Sequence, residues 1–194
     1  MRQARKRGVV GTGITVVAAD STGLDSSGRS EYFGRRSGLK KRDFPKVSQV
    51  VDIASHLTLA SVGERGPSPD DRVFHTLATQ AHRCEPFRGL LADAGYDAEH
   101  HHTFLRQELG VIGVIPPRRG RPAHSESHIP NGFWRGFLHE HWPDELYGQR
   151  WQVETRFSME KRKLGTKLRS RCEDAQDAEM FLRALTLNLM LEPP

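Results

Sequence analysis

The segment ITVVAAD, residues 14–20, decides how the rest of the chain is read. Six small or β-branched apolar residues stand between the glycine-rich GVVGTG (8–13) and the turn-forming STGLDSSGRS (21–30). A run this short, bounded by polar and glycine-rich residues, predicts a buried strand. Asp20 closes it. A carboxylate just past a buried strand stands at the rim of an open α/β sheet, where such sheets place their ligands.

The same ending recurs in GLLAD (89–93), which closes on Asp93. If the two strands are neighbours, the carboxylates converge and repel. A divalent cation relieves that repulsion, and an oxygen-rich site suits Mg²⁺ or Mn²⁺. An isolated strand-end aspartate more often caps a turn, so a third group is needed to decide. It comes from YGQRWQVETRFSMEK (147–161), where Tyr147, Arg150, Glu154 and Lys161 are spaced 3, 4 and 7 apart. At about 100° per residue these four fall within an arc of roughly 60° on one helix face. Glu154 then completes a set of three carboxylates beside two cations.

Around these segments the pattern alternates. SEYFGRR (30–36) reads as a second strand, and KVSQVVDIA (46–54) with LTLASVGE (57–64) as a hairpin about Ser55-His56. GPSPDD (66–71) breaks the sheet pattern and offers helix-capping carboxylates. Val73, Phe74, Leu77 and Ala81 predict a helix over about 71–83; a second follows at about 98–109, then a strand in VIGVIP (111–116). Residues 117–135 form a Pro-, Gly-, Arg- and His-rich loop. Helices at about 146–163 and 174–191 finish the chain, the last with Ala178, Phe181, Leu182, Leu185 and Leu189 as its apolar stripe. A meander, then alternation, then helices predicts a mixed α/β sheet.

At 194 residues the chain suits one domain, and its 36% hydrophobic and 27% charged content is that of a globular protein. A net charge of +5 favours an anionic partner only weakly. Cys84 and Cys172 lack metal-site or disulfide-framework spacing and read as reduced thiols. No apolar run approaches the roughly 20 residues that span a bilayer. The basic start of the chain resembles a secretory signal, but its glycines and threonines interrupt the apolar stretch, and a buried strand explains ITVVAA better. GVVGTG precedes a strand instead of opening a helix, so it is no phosphate-binding loop. His100-His101-His102, His139 and His141 have no Cys or acidic spacing to complete a zinc site and read as helix-start and surface residues.

DSTGL (20–24), the hairpin around VVDIASHLTLA (50–60), GPSPDD, LLADAGYD (90–97), VIPPRRGR (114–121) and YGQRWQVETRFSMEKRKLG (147–165) together resemble, in order, the bacterial insertion-sequence DDE transposases, closest to the IS-four superfamily. Its hallmark Y-x2-R-x3-E-x6-K is met at every spacing by Tyr147, Arg150, Glu154 and Lys161. The resemblance implies an RNase H-like mixed sheet flanked by helices, with a helical C-terminal part. It implies Asp20, Asp93 and Glu154 as the catalytic, metal-holding triad, with two Mg²⁺ or Mn²⁺ ions per site. Asp97 is the nearest rival to Asp93, and the family pattern favours the first aspartate of DAGYD. Tyr147, Arg150 and Lys161 would hold DNA at the cleavage point.

The implied reaction is cleavage of a phosphodiester at the element's end by water, followed by attack of the freed 3′-hydroxyl on target DNA. The implied partners are the element ends, the target and a second copy within the DNA complex, with no membrane and a cytoplasmic, nucleoid-associated setting. Basic runs at 5–7, 35–36, 40–42, 118–121 and 161–163 fit a phosphate-contacting surface as well as a solvated face. Trp134, Trp142 and Trp151 are candidates for base stacking, with core packing the better expectation for Trp151. The expected organisation is a basic segment at 1–13 and a catalytic domain at 14–194, N-terminally truncated relative to the family. A nuclease of the same fold without strand transfer, and an inactive DNA-binding remnant, are the alternatives.

Overall fold

A computed structural model describes residues 16–26, 44–118 and 131–191. The strand expected at 30–36, the GVVGTG segment, the 13/14 boundary and the basic runs at 5–7, 35–36 and 40–42 lie outside the described residues.

The strands are β1 (Val16–Gly23), β2 (Asp25–Ser26), β3 (Phe44–Asp52), β4 (Thr58–Gly66), β5 (Gly89–Ala92), β6 (Ile112–Val114) and β7 (Lys167–Leu168). The helices are α1 (Phe74–Cys84), α2 (Glu99–Gln107), α3 (Phe133–Glu140), α4 (Asp144–Tyr147), α5 (Trp151–Leu164) and α6 (Glu173–Leu191). Five strands form one mixed sheet in the order β4-β3-β1-β5-β6. β1 runs antiparallel to β3 and parallel to β5. The hairpin turn after β3 is held by Asp52, whose Oδ2 accepts from the Ser55 amide at 2.9 Å, while His56 takes the left-handed φ of 59°.

Side chains alternate across β1, so Val17 and Ala19 enter one core with Phe74, Leu77 and Leu105 of α1 and α2. Ala18 enters the other with Val153 and Phe157 of α5. The result is a mixed sheet between helical layers, the expected RNase H-like class. β1 does not stop at Asp20, however: it continues to Gly23 because β3 pairs with it as far as Lys46. A short ladder of β2 with β7 then ties its exit to the chain following α5.

Two expectations about helices change. The long helix at 146–163 is divided into α4, a 3-10 turn over Gly148–Arg150, and α5. The stripe expected to bury α6 faces solvent: Phe181 is 58% exposed, and Leu182, Leu185 and Leu189 are exposed too. α6 docks instead through Gln176, Met180, Arg183, Ala184 and Leu187. Polar anchors select that face. The Asn188 side chain accepts from the Thr58 amide at 2.9 Å and donates to the Thr58 carbonyl at 2.8 Å, closing part of the β4 edge. Gly63 permits the close approach, since a Cβ there would meet Asp177 Oδ1 and Met180 Cε at 2.9 Å.

Candidate active site

Alternation puts Asp20 on the same side of β1 as Ala18, and Asp93 on the same side of β5 as Leu91, which is the α5 side. Ala19 and Ala92 are register partners, so Asp20 and Asp93 follow each other on neighbouring parallel strands. Asp20 Oδ1 accepts from the Ser21 amide at 2.8 Å, and Asp93 Oδ1 from the Gly95 amide at 2.7 Å. The Asp20 carboxyl is pushed up to about 6, chiefly by burial, with further upward pressure from Asp93 and Glu154; the Ser21 amide and Arg150 oppose it.

From the helical side, Arg150 joins two of the three carboxylates. Its guanidinium donates to Asp20 Oδ2 at 3.4 Å and to Glu154 Oε1 at 2.5 Å. Tyr147 packs on Trp142 with ring centroids 4.8 Å apart; burial raises its hydroxyl pKa against the pull of Arg150. Lys161, nearly two turns beyond Glu154, donates to Thr22 Oγ1 at 2.6 Å. A cleft lined by Asp20, Ser21, Thr22, Glu154, Lys161 and Arg162 runs between them. Tyr147 closes α4 and Arg150 stands in the 3-10 turn before α5, and the helical backbone through both keeps Arg150 in reach of Glu154 four residues on. Asp93 and Glu154 both act electrostatically on Asp20, and carboxylate oxygens are donors that suit hard cations such as Mg²⁺ or Mn²⁺.

Two further acids behave in ways the spacing did not reveal. Asp70, expected to cap a helix, makes no side-chain cap, because it is held instead by a contact with buried Lys46 and by the Ser21 hydroxyl at 2.6 Å. Its other oxygen lies 3.3 Å from where a Gly95 Cβ would stand, beside Asp93. Asp70 is thus a fourth carboxylate at the rim; GPSPDD marks it in the sequence only as a capping candidate. Asp97 is consumed elsewhere. Its side chain is 0% exposed and accepts from Arg135 Nε at 2.7 Å, from Arg135 Nη2 at 2.5 Å and from the Arg118 amide at 2.7 Å.

Trp151 departs from expectation: it is 55% exposed, because the 3-10 turn at Gly148–Arg150 starts α5 with Val153, not Trp151, facing the sheet. Trp142 is half-buried against Tyr147, and Trp134 lies under Arg106, whose guanidinium carbon is 4.2 Å from the ring centroid. Arg118 donates to the Ala94 and Gly95 carbonyls, bracing the turn after Asp93. His101 and His102 are buried, correcting their surface assignment; the apolar side of α2 begins in its first turn.

A family model described as "Transposase DDE domain" matches residues 11–189. No curated protein sequence matches the chain. Among solved structures, a piggyBac transposase synaptic complex with hairpin DNA contains a chain of similar fold, with a TM-score of 0.53 and 11% identity. The match covers 93% of this chain and 47% of that one, so this chain spans about half the length of the transposase it resembles.

Proposed function

This chain belongs to the transposase DDE domain family, and on that premise we propose that it is the catalytic domain of an insertion-sequence transposase, cutting and rejoining DNA. The observation that carries the reading is Arg150, which bridges Asp20 and Glu154 while Asp93 presses on Asp20 from the next strand. A guanidinium bridging two acids, with a third beside one of them, fits a place where cations and a phosphate are exchanged.

In this reading Asp20, Asp93 and Glu154 hold Mg²⁺ or Mn²⁺, two ions being the number that suits an in-line displacement. When bound, such ions lower the pKa of attacking water and offset charge on the leaving oxygen. Water adds to the phosphorus, the bond to the departing oxygen breaks, and a 3′-hydroxyl is released. That hydroxyl then attacks a target phosphodiester, replacing one P–O bond with another. Arg150, freed from its carboxylates, is suited to bidentate contact with the phosphate, and Lys161 to a point contact farther along the cleft. Tyr147 braces Arg150. Ser21 and Lys46 position Asp70 beside the site. The catalytic unit would run from about residue 14 to 194 after a basic segment at 1–13. Its partners would be element ends, target DNA and a second copy, within the bacterial cytoplasm at the nucleoid. No helix among the described residues is long and apolar enough to cross a membrane.

The test is a supercoiled-plasmid assay with Mg²⁺. Nicked and joined products are expected from the parent chain and from none of Asp20→Ala, Asp93→Ala or Glu154→Ala. Cleavage that survives all three substitutions refutes the assignment. Nicking without joined products would select instead a nuclease of the same fold without strand transfer. Absence of both activities, with DNA binding retained, would select an inactive remnant.

A further inference from the structure

Across the sheet from the carboxylate cleft, three imidazoles gather between two helices: His75 of α1, and His100 and His101 of α2. One ring nitrogen from each lies within 4.8 Å of the others. Two rings are already fixed. His75 Nε2 and His101 Nδ1 share a hydrogen bond at 2.9 Å. His75 is stacked on Phe104 at 3.9 Å between centroids, and His101 is buried against Phe74 at 4.5 Å. Burial, followed by the neighbouring imidazoles, lowers the pKa of both His75 and His101. His100 is exposed, its ring centroid 4.1 Å from that of His101, at a cleft completed by Glu99, Thr103, Gln107 and Glu108.

Three imidazole nitrogens this close suit a single cation, to which each can give a lone pair. We propose that His75, His100 and His101 form a second metal site, which takes a zinc-class divalent ion and cross-links α1 to α2. Nitrogens 2.0–2.1 Å from a tetrahedral ion stand roughly 3.4 Å apart. The His75–His101 pair is near that spacing already; ion binding replaces its N–H···N hydrogen bond, the proton passing to the other nitrogen of the donor ring or to solvent, and the exposed His100 ring closes the remaining gap. A solvent molecule from the cleft takes the fourth position. Imidazole donors separate this site from the oxygen-only cleft, which favours Mg²⁺ or Mn²⁺.

The experiment is calorimetric titration of the full chain with Zn²⁺, after chelator treatment, with Cys84 and Cys172 replaced by serine. One Zn²⁺ should bind per chain. His100→Ala and His75→Ala should each weaken that binding at least tenfold, while Asp20→Asn/Glu154→Gln leaves it within twofold. Co²⁺ should give the visible bands of a nitrogen-ligated tetrahedral site in the parent and lose them in His100→Ala. His100 is exposed, so its loss does not disturb the core, and an unchanged circular dichroism spectrum checks this. Equal zinc affinity in His100→Ala overturns the proposal. So does the absence of zinc binding by the parent, or its loss in the carboxylate variant alone. Mg²⁺-dependent plasmid cleavage unchanged in His100→Ala separates this site from the proposed catalytic one.

Discussion

Asp20 carries the cost of the cleft. Its carboxyl titrates near 6 in the folded chain against 3.8 for the ordinary group, mainly because it is buried. A raised acid pKa means the unfolded chain gives up its proton first as pH rises, so stability falls between about pH 4 and 6 and stays lower above. Asp20→Asn removes the ionisable group. In EDTA it should stabilise the chain at pH 7.5 by on the order of 2 kcal/mol, with no gain at pH 3.5, as urea midpoints would show. Arg150 holds that pKa down, so Arg150→Ala should move the acid limb of the cleavage pH profile to higher pH, besides slowing cleavage. An unmoved limb would separate Arg150 from Asp20. Asp93 and Asp97, four residues apart, show why type and spacing cannot assign a role. One accepts a turn amide beside Asp20, while the other is consumed by Arg135.

At the level of elements, α5 has two glutamates with opposite duties. Glu154 faces the cleft, whereas buried Glu160 accepts from Arg156 at 3.1 Å and from Gln49 at 3.2 Å, and lies 3.6 Å from Arg183. That network joins α5 to the sheet and to α6. Arg156 is 0% exposed. Glu160→Ala would strand it without its counter-ion, so a loss of about 3–5 kcal/mol is expected in chemical denaturation. The two sides of α6 should respond unequally. Leu185→Lys, on the exposed side, should change stability by less than about 0.5 kcal/mol, whereas Leu187→Ala should cost about 2–5 kcal/mol. The reverse ranking would mean that the helix docks by its other face. Helical periodicity marks apolar stripes without saying which one meets the sheet. On α6 the choice falls to Arg183 and Asn188, whose partners are distant in sequence.

On the scale of the whole molecule, sheet order does the assembling. Setting β1 between β3 and β5 brings Asp20 beside Asp93, and α5 across the sheet face adds Glu154. If these acids hold Mg²⁺, the ion should stabilise the fold by mass action, by about 2.7 kcal/mol at a hundredfold excess over Kd, and so raise the melting temperature. Asp93→Asn should abolish that shift in a thermal melt. Much of this was legible in the chain. The apolar runs of β1, β5 and β6 and the hairpin of β3 with β4 declare themselves, because burial of short β-branched segments is a local property. The two aspartates that follow apolar runs and the Tyr147–Lys161 spacing were equally plain, although β1 itself runs past Asp20 to Gly23. Only the tertiary structure decided that the segment carrying this spacing is divided by a 3-10 turn at Gly148–Arg150, that Asp70 joins the rim through Ser21, that Trp151 is exposed, and that His75 meets His101. Those outcomes depend on contacts between residues far apart in sequence, 26 positions for His75 with His101, 49 for Ser21 with Asp70 and 130 for Arg150 with Asp20. Propensity and periodicity describe what a segment buries; only packing determines what it meets.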